Sequence, residues 1–197
     1  ASSYAAGKPL AAEPDTVWHY SSGTSNIVQQ VLRRSFDGDH EAYLAFPRRA
    51  LFEPLGMASA VIEPDASGTF VGSSFSYASA RDWARFGLLY LRDGVWNGER
   101  VLPEGWVEYS TRPTPDAPLG QYGAHWWLNA GSSPAPADRR WPDVPRDAYF
   151  ASGFQGQRVV VVPSRDAVIV RLGLTADDEV LDMNAVVAHI LEALPET

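Results

Sequence analysis

The spacing of apolar residues changes once along this chain, near residue 120. Before that point it follows a helical period, and after it the residues alternate or run together as in strands. Thr24 or Ser25 can cap a helix with Ile27, Val28, Val31, Leu32 and Phe36 on its apolar face. Tyr43, Leu44, Leu51 and Phe52 mark a second helical stretch over 41–52, which Pro47 should break or restart and which Pro54-Leu55-Gly56-Met57 closes. The clearest helix opens at Ser79, with Asp82 three residues on in a capping-box arrangement. Trp83, Phe86, Gly87 and Tyr90 make one of its faces, and Ala84, Leu88 and Leu91 most of the other, so it should be buried on several sides. Asp93-Gly94 ends it, and Pro103 opens a short helix over 104–111.

Tyr122, Ala124, Trp126 and Leu128 alternate with Gly123, His125 and Trp127, which predicts a strand over 122–128. Trp126 then belongs to the core, while His125 and Trp127 share the other face. The β-branched run Val159–Val162 and the segment Val168-Ile169-Val170 form an antiparallel hairpin about Pro163-Ser164-Arg165-Asp166. The segment 131–143 reads as a surface loop. A last helix, led by Asp177, Asp178 and Glu179, carries the stripe Met183, Val186, Val187, Ile190 and Leu194. The order predicts an α+β fold: a mainly helical region over 1–120, then an antiparallel sheet with a terminal helix over 121–197. A strand as apolar as Val159–Val162 needs cover on both faces, and the pattern supplies only one covering helix. The fold therefore reads as incomplete.

Composition narrows the function. Sixteen Lys and Arg against 24 Asp and Glu give a net charge of −8, which disfavours nucleic acid and anionic lipid as partners. Cysteine is absent, the four histidines are far apart without metal-ligand spacing, and no apolar run reaches the roughly 20 residues that span a bilayer. No basic, apolar leader opens the chain, and it starts without Met, as an excised polypeptide would. Localisation stays open between cell envelope and cytoplasm.

No G-x-S-x-G elbow, phosphate-binding glycine loop or H-E-x-x-H is present. Five other strings are distinctive: Pro14-x-Thr16-x-Trp18-x-Tyr20-Ser21-Ser22, Phe52-Glu53-Pro54-Leu55-Gly56-Met57, Ala80-Arg81-Asp82-Trp83-Ala84-Arg85-Phe86-Gly87, Gly94-Val95-Trp96-Asn97-Gly98 and Ala151-Ser152-Gly153-Phe154-Gln155-Gly156-Gln157. In this order they resemble the serine β-lactamase and penicillin-binding-protein-like hydrolases, in the class C-like branch with the 6-aminohexanoate-dimer hydrolases and related esterases. The similarity runs over about residues 5–175.

That resemblance implies attack on an ester, amide or β-lactam carbonyl by the serine of an S-x-x-K motif, through an acyl-enzyme and with no metal or cofactor. It implies that Tyr20 is the general base and acid and that Ser22 takes the place of the usual Asn. Ala151-Ser152-Gly153 takes the K-T-G place, so that Phe154 N–H is one oxyanion donor and Ser152 and Gly153 line the cleft. His125 and Trp127 are candidates for its wall.

The departures matter as much. Lys8 is the only lysine, Ala5 stands three places before it, and only 19 residues precede Tyr20, so the chain contains no S-x-x-K. It reads as the C-terminal part of a longer hydrolase, catalytically silent alone, whose partners are a small ester or amide and the missing N-terminal segment of the same protein. Asp15 replaces the usual Gly. Ala151 in place of Lys removes a carboxylate-binding cation, which points away from penicillins.

Plainer readings stand beside each of these. Tyr20 could simply pack beside Trp18, Ser22 could be a turn hydroxyl, Ser152-Gly153 a bulge at a strand edge, and His125 a surface residue. For the whole chain the alternative is a binding module that kept a penicillin-recognition-like cleft without a nucleophile.

Overall fold

Short helices build the first unit, Ala1–Asp82. The computed structural model describes residues 2–175 and 180–195. Helix α1 (Ser2–Ala6) packs against α2 (Ser22–Arg34), where Ser2 Oγ donates to Gln30 Oε1 at 3.0 Å. Helix α2 starts two to three residues before the expected caps, with Ser21 as N-cap.

Its orientation is the reverse of the one its apolar stripe predicts. Ile27, Val28 and Val31 are exposed, whereas Asn26 is buried and Gln29, Gln30 and Arg33 are half-buried. The inward polar face is held by specific bonds: Asn26 Nδ2 to Ser22 O and Ser73 Oγ, Gln29 Nε2 to Tyr43 Oη, and Arg33 Nη1 to Ser67 O. Arg33 also bonds Thr69 Oγ1.

Helix α3 (His40–Pro47) is capped by Asp39, whose carboxylate accepts from Ala42 N at 2.9 Å. It ends at Pro47, and a new helical stretch starts at the next residue, as the proline leads one to expect. The chain passes through a π-helical stretch, Arg48–Phe52, directly into α4 (Glu53–Leu55). Gly56, at φ 67°, ends the run with its N–H on Glu53 O. Tyr43 anchors the core: 1% exposed, it stacks near Phe70 and its Oη accepts from Phe70 N at 2.9 Å. Strands β1 (Val61–Ile62) and β2 (Ser76–Tyr77) pair antiparallel.

Helix α5 (Ala80–Leu91) starts where Ser79 predicts. Ser79 Oγ accepts from Asp82 N at 3.3 Å, and the return arm of the box runs through a third residue: Asp82 Oδ2 accepts from Ser59 N and Oγ (2.8 and 2.6 Å), and Ser59 Oγ accepts from Ser79 N.

The second unit is Trp83–Thr197. After α5 come the hairpin of β3 (Val95–Trp96) and β4 (Glu99–Arg100), helix α6 (Trp106–Thr111), and strands β5 (Trp127–Leu128), β6 (Tyr149–Ser152), β7 (Arg158–Val162) and β8 (Ala167–Arg171). The last four form one antiparallel sheet in the order β5-β6-β7-β8, closed by α7 (Met183–Ala193). Asp182 caps α7 by accepting from Ala185 N; the acids at 177–179 lie outside the described residues.

Both faces of this sheet are covered, which corrects the expectation of a bare one. Phe150, Val160 and Val162 meet Met183, Val187 and Leu191 of α7 together with Trp141. Tyr149, Val161 and Val168 meet Phe86, Tyr90 and Leu91 of α5 and Val107 of α6. Helix α5 fits because of Gly87: a Cβ there would stand 2.6 Å from Val168 Cγ1 and 3.0 Å from Val159 Cγ1. The near-continuous apolar character of α5 thus reports its burial on this face.

Two further expectations change. Strand β6 was legible only as a motif, not as a strand. The predicted strand over 122–128 shrinks to β5, because Gly123 N donates to Trp126 O and His125 takes φ 66°, folding 122–127 into a tight turn. The loop over 131–143 is mostly exposed but buries Trp141, which stacks on Phe150 at 4.1 Å. Buried Asn129 ties this loop down: its Nδ2 donates to the carbonyls of Trp141, Val144 and Pro145, and its Oδ1 accepts from Trp141 N.

Candidate active site

In the first unit, Tyr20 and Ser22 stand at the entrance to α2. Tyr20 is 53% exposed, so its ring is not a core residue, and Trp18 two places earlier is half-buried. Ser22 is exposed at the first position of the helix, and its carbonyl accepts from Asn26 Nδ2 at 2.8 Å. Asp15 holds φ 63°, a left-handed conformation that glycine adopts freely. Its stretch therefore keeps the backbone of a glycine turn after losing the glycine.

In the second unit, Ser152, Gly153 and Phe154 are consecutive and exposed at the end of β6. Ser152 is the last paired residue, opposite Arg158 of β7. Gly153 N donates to Gln157 O at 2.9 Å and closes the β6–β7 turn. Phe154 is 85% exposed and opens a one-turn 3-10 helix, Phe154–Gly156. Its N–H is one of the donors a helix start leaves without an intrahelical acceptor, and among the described residues none of the turn's backbone hydrogen bonds uses it. A backbone donor at an exposed strand end can bind a carbonyl oxygen or the anion that develops from it.

Trp127 lies on the neighbouring strand, opposite Phe150. It is half-buried and packs with the α7-side core, edge-on to Tyr122 at 5.0 Å and with the Arg140 guanidinium 5.2 Å from its ring. His125 is exposed at the tip of the tight turn. The alternation that put the two on one strand face does not exist, because His125 precedes the strand. Trp126 is 3% exposed and belongs to the α5-side core, as expected.

Sequence reasoning missed Arg158, which is 6% exposed and directly behind the turn. The available signal was a charged residue opening an otherwise unbroken valine run. Two titrating groups lie outside these residues. Burial, with smaller contributions from Tyr90 and acidic neighbours, pushes the Tyr149 phenol above its ordinary range. Asp65 is held well below the usual carboxylate range, chiefly by the Ser67 hydroxyl. Among the described residues no group of three or more His, Asp or Glu is placed to hold a metal, and no helix is long and apolar enough to cross a membrane.

Comparison with known proteins fits this geometry. A 6-aminohexanoate-dimer hydrolase of Paenarthrobacter ureafaciens is 28% identical over 143 residues, which cover 67% of this chain and 33% of that protein. A Bacillus anthracis protein provisionally designated a 6-aminohexanoate-dimer hydrolase shares the fold with a TM-score of 0.73 at 24% identity, over 95% of this chain and 47% of its own. A beta-lactamase from Mycobacterium bovis does so with a TM-score of 0.65 at 19% identity, over 92% and 66%. The chain thus spans about a third of the curated relative and about half of the Bacillus structure. The profile of one family matches residues 1–191, so the strings around Tyr20, Trp83 and Ser152 are parts of a single inherited framework, and the chain belongs to the beta-lactamase family.

Proposed function

We propose that this chain is part of a serine hydrolase that cleaves a small ester or amide through an acyl-enzyme, the nucleophilic serine lying on polypeptide outside these 197 residues. The exposed turn that offers Phe154 N–H, within a chain of the beta-lactamase family, carries this reading.

In the proposed reaction the serine hydroxyl attacks the carbonyl carbon while its proton passes to Tyr20, the general base. The carbonyl oxygen gains negative charge and accepts from Phe154 N–H, a bond that strengthens as charge grows and so lowers the barrier more than it tightens substrate. Tyr20 then returns the proton to the departing alcohol or amine. Water, giving up its proton to Tyr20 in the same way, attacks the acyl carbonyl; the serine ester bond breaks, the serine oxygen takes the proton back, and the acid leaves. The same reading assigns substrate contacts to Ser22, Ser152 and Gly153, with His125 and Trp127 as further candidates. Ala151, with no cation to offer, favours substrates that lack the carboxylate of penicillins.

Two observations support a completing segment. Relatives extend well beyond the matched region, and the Ile27, Val28 and Val31 stripe of α2 is exposed. The sequence contains no S-x-x-K, an observation that also favours the second reading, a cleft that binds without turning over.

The purified chain is expected to show no saturable turnover of p-nitrophenyl esters, with or without a serine-trapping phosphonate. Saturable turnover abolished by the phosphonate overturns the assignment of the serine elsewhere. In a longer form bearing S-x-x-K, Tyr20→Phe is expected to lower kcat by about 10²–10⁴-fold. An unchanged kcat there removes Tyr20 from the mechanism, and a longer form without any ester or amide turnover leaves the binding module.

A further inference from the structure

The turn that carries Phe154 N–H is tied down from behind by two guanidinium groups. Four of the five carbonyls in 153–157 accept hydrogen bonds: Gly153 O from Arg158 Nη1 (long, at 3.4 Å), Gln155 O from Thr175 N (3.1 Å), Gly156 O from Arg171 Nη1 (2.7 Å), and Gln157 O from Gly153 N and Arg158 Nη1 (both 2.9 Å). The segment after β8 completes the hold. Arg171 Nη2 donates to Thr175 Oγ1, Gly173 N donates to Gln157 Oε1 at 2.9 Å, and Gln157 Nε2 returns a bond to Gly173 O.

Two facts say that this hold works against local preference. Gln155 sits at φ 56° within the 3-10 turn, a conformation that a non-glycine residue keeps only when its surroundings enforce it. Arg158 is 6% exposed, and a charge that deeply placed needs a reason to be there.

The peptide geometry supplies one. Gly153 C=O and Phe154 N–H belong to the same planar, trans peptide unit, so they point in opposite directions. A guanidinium that holds Gly153 O therefore aims Phe154 N–H away from itself and polarises it as a donor. Arg171 does the same kind of work one step along, fixing Gly156 and with it the far side of the turn. We infer that Arg158 is a positioning residue for the Phe154 oxyanion donor, with Arg171 and the 171–175 segment as its buttress. This rests on the proposed role of Phe154 N–H and adds what holds that donor ready.

The test begins with the 197-residue chain and backbone amide NMR. Arg158→Gln is expected to shift the Phe154 amide resonance and speed hydrogen exchange at Gly153, whose N–H closes the turn on Gln157 O, while the amides of Val160 and Val161 stay protected. Arg171→Gln, at a less buried position, should shift the Gly156 and Phe154 amide resonances and covers the case in which the first variant does not fold. A Phe154 amide unmoved in folded forms of both variants overturns the inference. In a serine-bearing longer form, Arg158→Gln is expected to lower kcat about 10–100-fold with little change in KM, because a misaligned donor is felt in the transition state. Arg158→Lys should recover part of that loss. An amide that responds without any change in kcat refutes the oxyanion role of Phe154 and leaves the clamp itself intact, so the two failures can be told apart.

Discussion

Helix α2 and helix α5 carry similar apolar stripes and meet opposite fates. The Phe86, Gly87 and Tyr90 side of α5 is pressed onto a sheet, and Gly87 lets the backbone approach within reach of Val159 and Val168. The Ile27, Val28 and Val31 side of α2 faces solvent, while its Asn26, Gln29 and Arg33 side turns inward and is satisfied by side-chain and carbonyl partners. A stripe shows only that a helix can bury one face. Whether it does so depends on a matching surface, and for α2 a set of hydrogen-bonding partners competes for the inside position.

This contrast can be broken by substitution. The largest effect is expected at Phe150, fully buried between Trp141 and Trp127: Phe150→Ala should cost about 3–5 kcal/mol, read from the denaturant midpoint. If it proves nearly neutral, the two-faced sheet core is wrong. Gly87→Leu comes next, at about 1–3 kcal/mol, because the inserted side chain has no room against Val168 and Val159 and overpacking outweighs any gain in helix propensity. A stabilised Gly87→Leu variant would mean that α5 does not press on the sheet.

A smaller effect belongs to Asp65. Its carboxyl is depressed in the fold mainly by the Ser67 hydroxyl, so its contribution is present above the ordinary unfolded value of about 4 and lost as pH falls toward the lower folded one. Asp65→Asn should flatten the acid limb of the pH–stability curve, and Ser67→Ala should raise the Asp65 titration midpoint seen by carboxyl NMR. The smallest effect tests the other side of the comparison. Val31→Lys on the exposed stripe of α2 should change the stability of this chain by no more than about 0.5 kcal/mol. A loss of several kcal/mol would show that the stripe is buried in solution.

Much of the fold was legible, and the misses have physical causes. The start of α5 followed from Ser79 and Asp82, the β7–β8 hairpin from its valines and the Pro163–Asp166 turn, and the opposed faces of Trp126 and Trp127 from adjacency. The π-helical stretch after Pro47 was hidden because a π turn leaves no periodic mark. The strand over 122–128 was overextended because His125 accepts a left-handed conformation that its type does not advertise.

For the candidate site, sequence singled out Ser152-Gly153-Phe154 through family strings, and the structure adds that Phe154 is exposed and opens a 3-10 turn. Arg158 escaped notice because a guanidinium opening a strand reads as an edge charge until the carbonyls that it holds are seen.

What the sequence determined alone was local: caps, turns, the β-branched run, the acidic balance and the motif strings that identify a family. These depend on neighbours within a few positions, where steric preference and hydrogen bonding act directly. Tertiary structure decided which helix face goes inward, that α5 covers the second face of the sheet, and that two distant arginines converge behind one turn. Those outcomes depend on surfaces brought together across many residues, and their energies exist only once the surfaces meet.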